Sequence, residues 1–176
     1  MKKPVIFTIG HSTHPIDEFK ALLNAHGIQE IADVRTITRS RHNPQFNEFD
    51  LRESLEKSNI LYSHIKELGG LRHAKKDSIN LGWHNTSFRG YADYMASPEF
   101  EEGLEALAEI ANVRNTAIMC AEAVPWRCHR SLIADALTKQ GWLVRDIMSL
   151  GSAPAHRLTP FLKVRRGQII YPAPET

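Results

Sequence analysis

TAIMCAEAVPWRCHRSLIADALTKQ, Thr116 to Gln140, spells out a strand, a loop and a helix in that order. Thr116 to Met119 is a short apolar run, and Asn115 to Met119 reads as a buried strand. It delivers Cys120 and Glu122 into a loop containing Pro125. The loop closes on Arg127-Cys128-His129-Arg130 as a helical pattern begins. Leu132, Ile133, Ala136 and Leu137 fall on one face of that helix, and Gly141 stops it. A thiol at a strand end, facing a cationic helix start, sits where the thiolate is favoured. The free amides of a helix start also favour anions.

Outward from this unit the same alternation repeats. Val5 to Ile9 ends at Gly10 and reads as a buried strand. Pro15 suits the first turn of a helix carrying Ile16, Phe19, Leu22 and Leu23, which Gly27 ends. Ile28 to Val34 reads as a second strand. Asn47 or Asp50 caps a helix to about Ser58, and Ile60 to Ile65 is a third strand. Gly69 to Arg89 shows no period, which in a stretch this long points to a functional or mobile loop. Tyr91 to Ala96 reads as helical. Ser97-Pro98-Glu99 opens a further helix with a capping serine, a first-turn proline and acids. Leu143 to Ile147 is a fifth strand. FLKVRRGQIIYP, Phe161 to Pro172, reads as a small hairpin about Arg166-Gly167. The pattern predicts one α/β domain over residues 1–176, with a mostly parallel sheet, right-handed crossovers and helices on both faces.

Composition agrees with one soluble domain. The chain has 176 residues, 42% hydrophobic and 24% charged, with a formal net charge of +2. That charge is too small to imply nucleic-acid binding by itself. Its distribution is uneven: Arg35, Arg39, Arg41 and His42 cluster early, and acids crowd the helix after Pro98. Two cysteines, Cys120 and Cys128, do not make a secreted disulfide framework. The apolar run near Met1 is too short for a signal-peptide core, and no window approaches the ~18 apolar residues of a membrane span. A cytoplasmic protein with no membrane partner is the expectation. The sequence sets no oligomeric state.

In open α/β sheets, ligands bind at the carboxyl ends of the strands. Those ends here are Gly10-His11-Ser12, Asp33-Val34-Arg35, His64 and Cys120-Ala121-Glu122. Parallel strands would gather them at one rim.

TIGHSTHPIDEF, IADVRTITRSRHNPQFN, ELGGLR, FRGYADYM, CAEAVPWRCHRSLIADAL and the late LTPF carry a resemblance. The chain resembles the domain of unknown function 488 family over nearly its whole length. The resemblance implies a single Rossmann-like α/β domain and little chemistry. The matched positions give a family site of His11, Ser12, Asp33, Arg35, Asn43, Pro44, Arg89, Cys120, Glu122, Cys128, His129 and Arg130.

Several chemistries compete for these residues. Cys120 is either a small buried hydrophobe or a nucleophile; Arg127, His129 and Arg130 would lower its pKa, and Glu122 would oppose them. Cysteine phosphatases need an arginine one place earlier than Arg127, where Trp126 stands. The order of Asp33-Val34-Arg35 and Cys120 is similar to the rhodanese layout, although the loop here carries Glu122 and Pro125-Trp126. Glu122 is either ion-paired to Arg130 or Arg35, or a nucleophile or general base acting on a glycosidic bond. Zinc would want a close cysteine pair, and Cys128 and His129 are expected to point apart on one helix. The loop RTITRSRHNPQFN is either solvated or a phosphate and nucleic-acid contact, with Phe46 as a stacking surface and Trp83 and Trp126 adding faces.

The reading taken forward is an enzyme of uncharacterised reaction acting on a small anionic, nucleotide-like ligand. Cys120, Glu122 and His11 are its candidate catalytic groups, with His11 exchanging a proton. Ser12, Asp33, Arg35, Asn43, Arg89, Cys128, His129 and Arg130 are candidate binding residues; Asp33 orients Arg35, and Asn43 bonds the ligand. No metal and no cofactor are expected. The alternatives are a nucleotide or nucleic-acid binding module without catalysis, and rhodanese-like sulfur transfer through Cys120.

Overall fold

The structure, a computed structural model, describes residues 2–175. Five parallel strands form one sheet: β1 (Val5–Gly10), β2 (Glu30–Asp33), β3 (Leu61–His64), β4 (Thr116–Cys120) and β5 (Leu143–Asp146), in spatial order β3-β2-β4-β1-β5. The helices are α1 (Ile16–Ala25), α2 (Glu48–Glu56), α3 (Thr86–Tyr94), α4 (Pro98–Val113) and α5 (Arg130–Lys139). β6 (Lys163–Arg165) and β7 (Gln168–Ile170) make a separate antiparallel hairpin at Arg166-Gly167. Both residues there have positive φ, 51° and 77°, as a tight hairpin turn requires.

Strand alternation divides the core in two. Phe7, Ile9, Ile31, Ala117 and Met119 point to α1 and α2, where they meet Phe19, Leu23, Leu51 and Leu55. Ile6, Ala32, Val34, Ile118 and Val144 point to the other face, where they meet Tyr91 of α3, Leu104 and Leu107 of α4, and Leu132 and Leu137 of α5. The central strands are buried on both sides, which is why β4 reads as a nearly continuous apolar run, while β2 buries Glu30 and Asp33 along with Ile31 and Ala32.

One stretch differs from its sequence reading. The helix expected over Tyr91–Ala96 begins earlier, at Thr86. Asn85 caps it by accepting bonds from the Ser87 and Phe88 amides. Gly90 has no apolar side chain to reveal the helical period, and it is needed because the Arg72 carbonyl lies against it. The Gly69–Arg89 loop is therefore shorter than its lack of period suggests.

β1 and β4 are neighbours whose following helices pack on opposite faces. This is the switch point where such sheets open a crevice. At the far side of the sheet, residues 154–156 run along β5. The Asp146 amide donates to the Pro154 carbonyl (2.9 Å), and the His156 amide donates to the Val144 carbonyl (2.8 Å).

Candidate active site

The strand ladder continues past β1, β2 and β4 and locks their loops together. The His11 amide donates to the Cys120 carbonyl (2.9 Å), that of Ser12 to the Ala121 carbonyl (2.9 Å), and that of Val34 to the Met119 carbonyl (3.0 Å). Above this rim lies a cavity of about 470 Å³. His11, Arg35, Arg39, Cys120, Glu122, Arg127, Cys128 and His129 line it, and Ile37, Leu71, Phe88 and Tyr91 give it an apolar wall. Of the residues read from the strand ends, His11, Arg35, Cys120, Ala121 and Glu122 line this cavity, whereas Ser12, Asp33 and His64 do not.

Arg130 organises the thiol. It is fully buried. Its Nη1 donates to the Cys120 sulfur (2.9 Å) and to the Glu122 carbonyl (2.7 Å), and its Nη2 to the Ala123 carbonyl (3.2 Å). Gly10 makes this possible: a Cβ there would overlap the Glu122 carbonyl and lie 2.6 Å from Arg130 Nη1. Burial alone would push the Cys120 thiol up. A hydrogen bond from Cys128, the Arg130 charge and the Glu122 backbone outweigh it, so the pKa lies below its ordinary value. Arg130 therefore serves the sulfur from beneath and lies outside the cavity lining.

Cys128 is the complement. Burial and the neighbouring Cys120 sulfur hold its pKa well up, so of the two sulfurs Cys120 ionises first and Cys128 keeps its proton. Its Sγ lies 3.6 Å from His129 Nδ1 and accepts from the Arg130 amide at 3.5 Å. Cys128 and His129 precede α5 and face the same cavity, contrary to the expectation that they point apart. A carbonyl can only accept, so His129 Nε2, 2.8 Å from the Val34 carbonyl, carries the ring proton. Burial lowers the His129 pKa to about 4, which leaves Nδ1 as a bare lone pair at neutral pH.

His11 is held in the same manner. Its Nδ1 donates to the Ser12 carbonyl (2.8 Å), its ring stacks on Phe46 at 4.3 Å, and Nε2 lies 3.4 Å from Arg35 Nη1. Burial lowers its pKa to about 4. His11 is therefore neutral at pH 7, a proton acceptor rather than the near-neutral titrating group its ordinary range suggests. Arg35 is fixed by Asp33, whose carboxylate accepts from its amide (3.0 Å), Nε (2.9 Å) and Nη2 (2.8 Å), and also from the Tyr62 hydroxyl.

The remaining sequence candidates separate here. The Glu122 residue is exposed at the cavity and its carbonyl is what Arg130 bonds; the ion pair to Arg130 or Arg35 is not among the described contacts. Ser12, Asp33, Asn43 and Arg89 lie outside the lining. Ser12 shapes the turn at φ 49°, Asn43 precedes the 3₁₀ turn Pro44–Phe46, and Arg89 donates to the Trp83 carbonyl (3.0 Å). Phe46 is no stacking surface for a ligand, because it is fully buried beneath His11. Trp126 is 66% exposed.

Sequence reading missed Tyr62, Tyr91 and a buried group around Asp135. The Tyr91 hydroxyl donates to the Leu68 carbonyl, and its ring packs on His129 at 4.9 Å. Asp135 accepts from Thr159 and Tyr171 and lies 2.8 Å from His156, which also approaches Asp146 at 3.7 Å. Apolar periodicity marks these positions only as core, so no local signal distinguished them.

Among the described residues no group of three or more His, Cys, Asp or Glu side chains could hold a metal ion. No helix among them is long and apolar enough to cross a membrane. A family model described as domain of unknown function DUF488 matches residues 15–137. No curated protein and no solved structure matches the chain.

Proposed function

Because the chain belongs to the domain of unknown function DUF488 family, whose name assigns no reaction, we propose a function read from the site: an enzyme in which the Cys120 thiolate attacks a small anionic substrate of nucleotide size. The observation that carries this is the 2.9 Å contact from a fully buried guanidinium to a sulfur that lines a cavity. A structural cysteine needs no buried cation, whose desolvation is costly. Thiolate character is what makes a cysteine a nucleophile.

The other groups take roles around the sulfur. Arg35, Arg39 and Arg127 draw the anion into the cavity, where the apolar wall takes its body. His11 Nε2 accepts a hydrogen bond or a proton from the substrate. Glu122, at the mouth, moves a proton between site and solvent. A reducing, cytoplasmic setting keeps both thiols free. The competing reading, a nucleotide or nucleic-acid module without catalysis, rests on Arg39 and Arg41 and would show a steep loss of affinity with salt.

Alkylation of the protein by iodoacetate and by iodoacetamide across pH tests the proposal. The expected result is a Cys120-dependent fast phase with a midpoint well below ~8.5. It should be absent in Cys120→Ser, faster with the anionic reagent relative to a free thiol, and slowed by a nucleoside monophosphate. An ordinary thiol profile, indifferent to reagent charge and to added anions, overturns it.

A further inference from the structure

The geometry points to a second thiol in the same chemistry: Cys128 resolves an adduct formed on Cys120, so the site reduces a small anionic disulfide and ends as a Cys120–Cys128 disulfide. This deepens the reading of Cys120 as nucleophile and rests on it.

Cys128 is only 5% exposed, yet it lines the same cavity as Cys120, and Arg130 touches both sulfurs, through its amide (3.5 Å to Cys128) and its Nη1 (2.9 Å to Cys120). The Cys128 proton has an acceptor beside it. His129 has committed Nε2–H to the Val34 carbonyl, so the lone pair of Nδ1, 3.6 Å away, is left for the Cys128 proton. The Arg130 amide, 3.5 Å from Cys128 Sγ, stabilises the charge that then develops. Gly70 packs against the His129 ring, where an added Cβ would come within 3.1 Å of Nδ1, so the base is held in place. A site needing one nucleophile has no use for a second thiol with its own base.

The step balances as follows. The Cys120 thiolate attacks one sulfur of a disulfide RS–SR, forming Cys120–S–SR and releasing RS⁻. With Cys120 neutral in the adduct, its charge no longer holds the Cys128 pKa up; Cys128 gives its proton to His129 Nδ1, on its way to a departing RS⁻, and attacks the Cys120 sulfur. The Cys120–SR bond breaks, a second RS⁻ leaves, and the Cys120–Cys128 bond forms. Two electrons pass from the two protein thiols to the substrate disulfide, and the proton on His129 leaves with a product thiolate. A thiol reductant restores the pair. The cationic rim selects disulfides bearing carboxylates.

Single-turnover reaction with dithio-bis-nitrobenzoate, a dianionic aromatic disulfide with a coloured leaving thiolate, decides the matter. Wild type should release two equivalents, the second at a rate independent of reagent concentration. Its intact mass should show no adduct and the loss of two hydrogens. Cys128→Ser should release one equivalent and keep the adduct. His129→Asn should retain the first release and slow the second about 100-fold. A wild-type protein that ends with adducts and no internal disulfide overturns the dithiol cycle while leaving Cys120 as nucleophile; this readout needs no variant to fold. Undiminished first release in Cys120→Ser overturns both. Equal preference for cationic cystamine, relative to a free thiol, overturns the anionic substrate class.

Discussion

Arg130 Nη1 lies 2.9 Å from the Cys120 sulfur, and both residues are buried. The guanidinium also caps the Glu122 and Ala123 carbonyls, so one side chain sets both the thiol's ionisation and the shape of its loop. Arg130→Gln should therefore do two things. Alkylation of Cys120 should move above ~8.5, since burial then acts with its main cationic counterweight gone. Urea unfolding should show a loss of about 3 kcal/mol, because the Glu122 and Ala123 carbonyls and the buried Cys120 sulfur lose their shared donor. Arg130→Lys should rescue neither effect fully, having no planar fork to serve three acceptors.

Gly10→Ala tests the same loop from below. The added methyl would collide with the Glu122 carbonyl, which has no room to withdraw while Arg130 holds it. A loss of about 2 kcal/mol in unfolding free energy is expected, together with loss of the low-pH alkylation of Cys120. A normal melting temperature with unchanged thiol reactivity would show that the loop yields freely.

Asp33 is the sole carboxylate described as ion-paired with the nearly buried Arg35. Asp33→Asn should cost about 3–5 kcal/mol, because a buried charge is left without its partner. Tyr62→Phe removes one donor and should cost about 1 kcal/mol. Denaturant titration of the two variants should rank them in that order.

Three histidines set two limbs of a pH–stability curve. His11 and His129 fall from an ordinary 6.5 to about 4 because burial disfavours their charged forms. The unfolded chain then binds more protons between those values, so stability drops as pH falls from about 6.5 towards 4. His156 has the opposite sign. Burial would lower it, but the hydrogen bonds and charges of Asp135 and Asp146 prevail and lift it to about 9. Its contribution is whole below about 6.5 and disappears as pH rises through about 9. Urea midpoints across pH should peak near neutrality. His156→Gln should flatten the alkaline limb alone.

The layered architecture was legible because β2 and β4 are buried on both faces and their helices carry one-sided apolar stripes. Parallel strands put their carboxyl ends together, so His11, Arg35 and Cys120 could be grouped from order alone. The direction of each side chain was not legible. Arg130 turns inward only because Gly10 vacates its path, and that depends on residues 120 positions apart. Phe46 disappears beneath His11 for a similar reason: its loop folds back so that the Phe46 carbonyl accepts from Arg35. The start of α3 was hidden because its first turn, Thr86-Ser87-Phe88, shows no apolar stripe.

The run of residues 154–156 along β5 also governs how the molecule meets its own copies. It occupies amides and carbonyls that would otherwise recruit a foreign strand, so that flank of the sheet cannot template growth. Among the described residues no segment pairs along the opposite flank, β3, which carries an exposed Leu61. A chain shortened before Pro154 would be sticky on both flanks, and fibrous self-association would follow from losing a segment remote from the thiols.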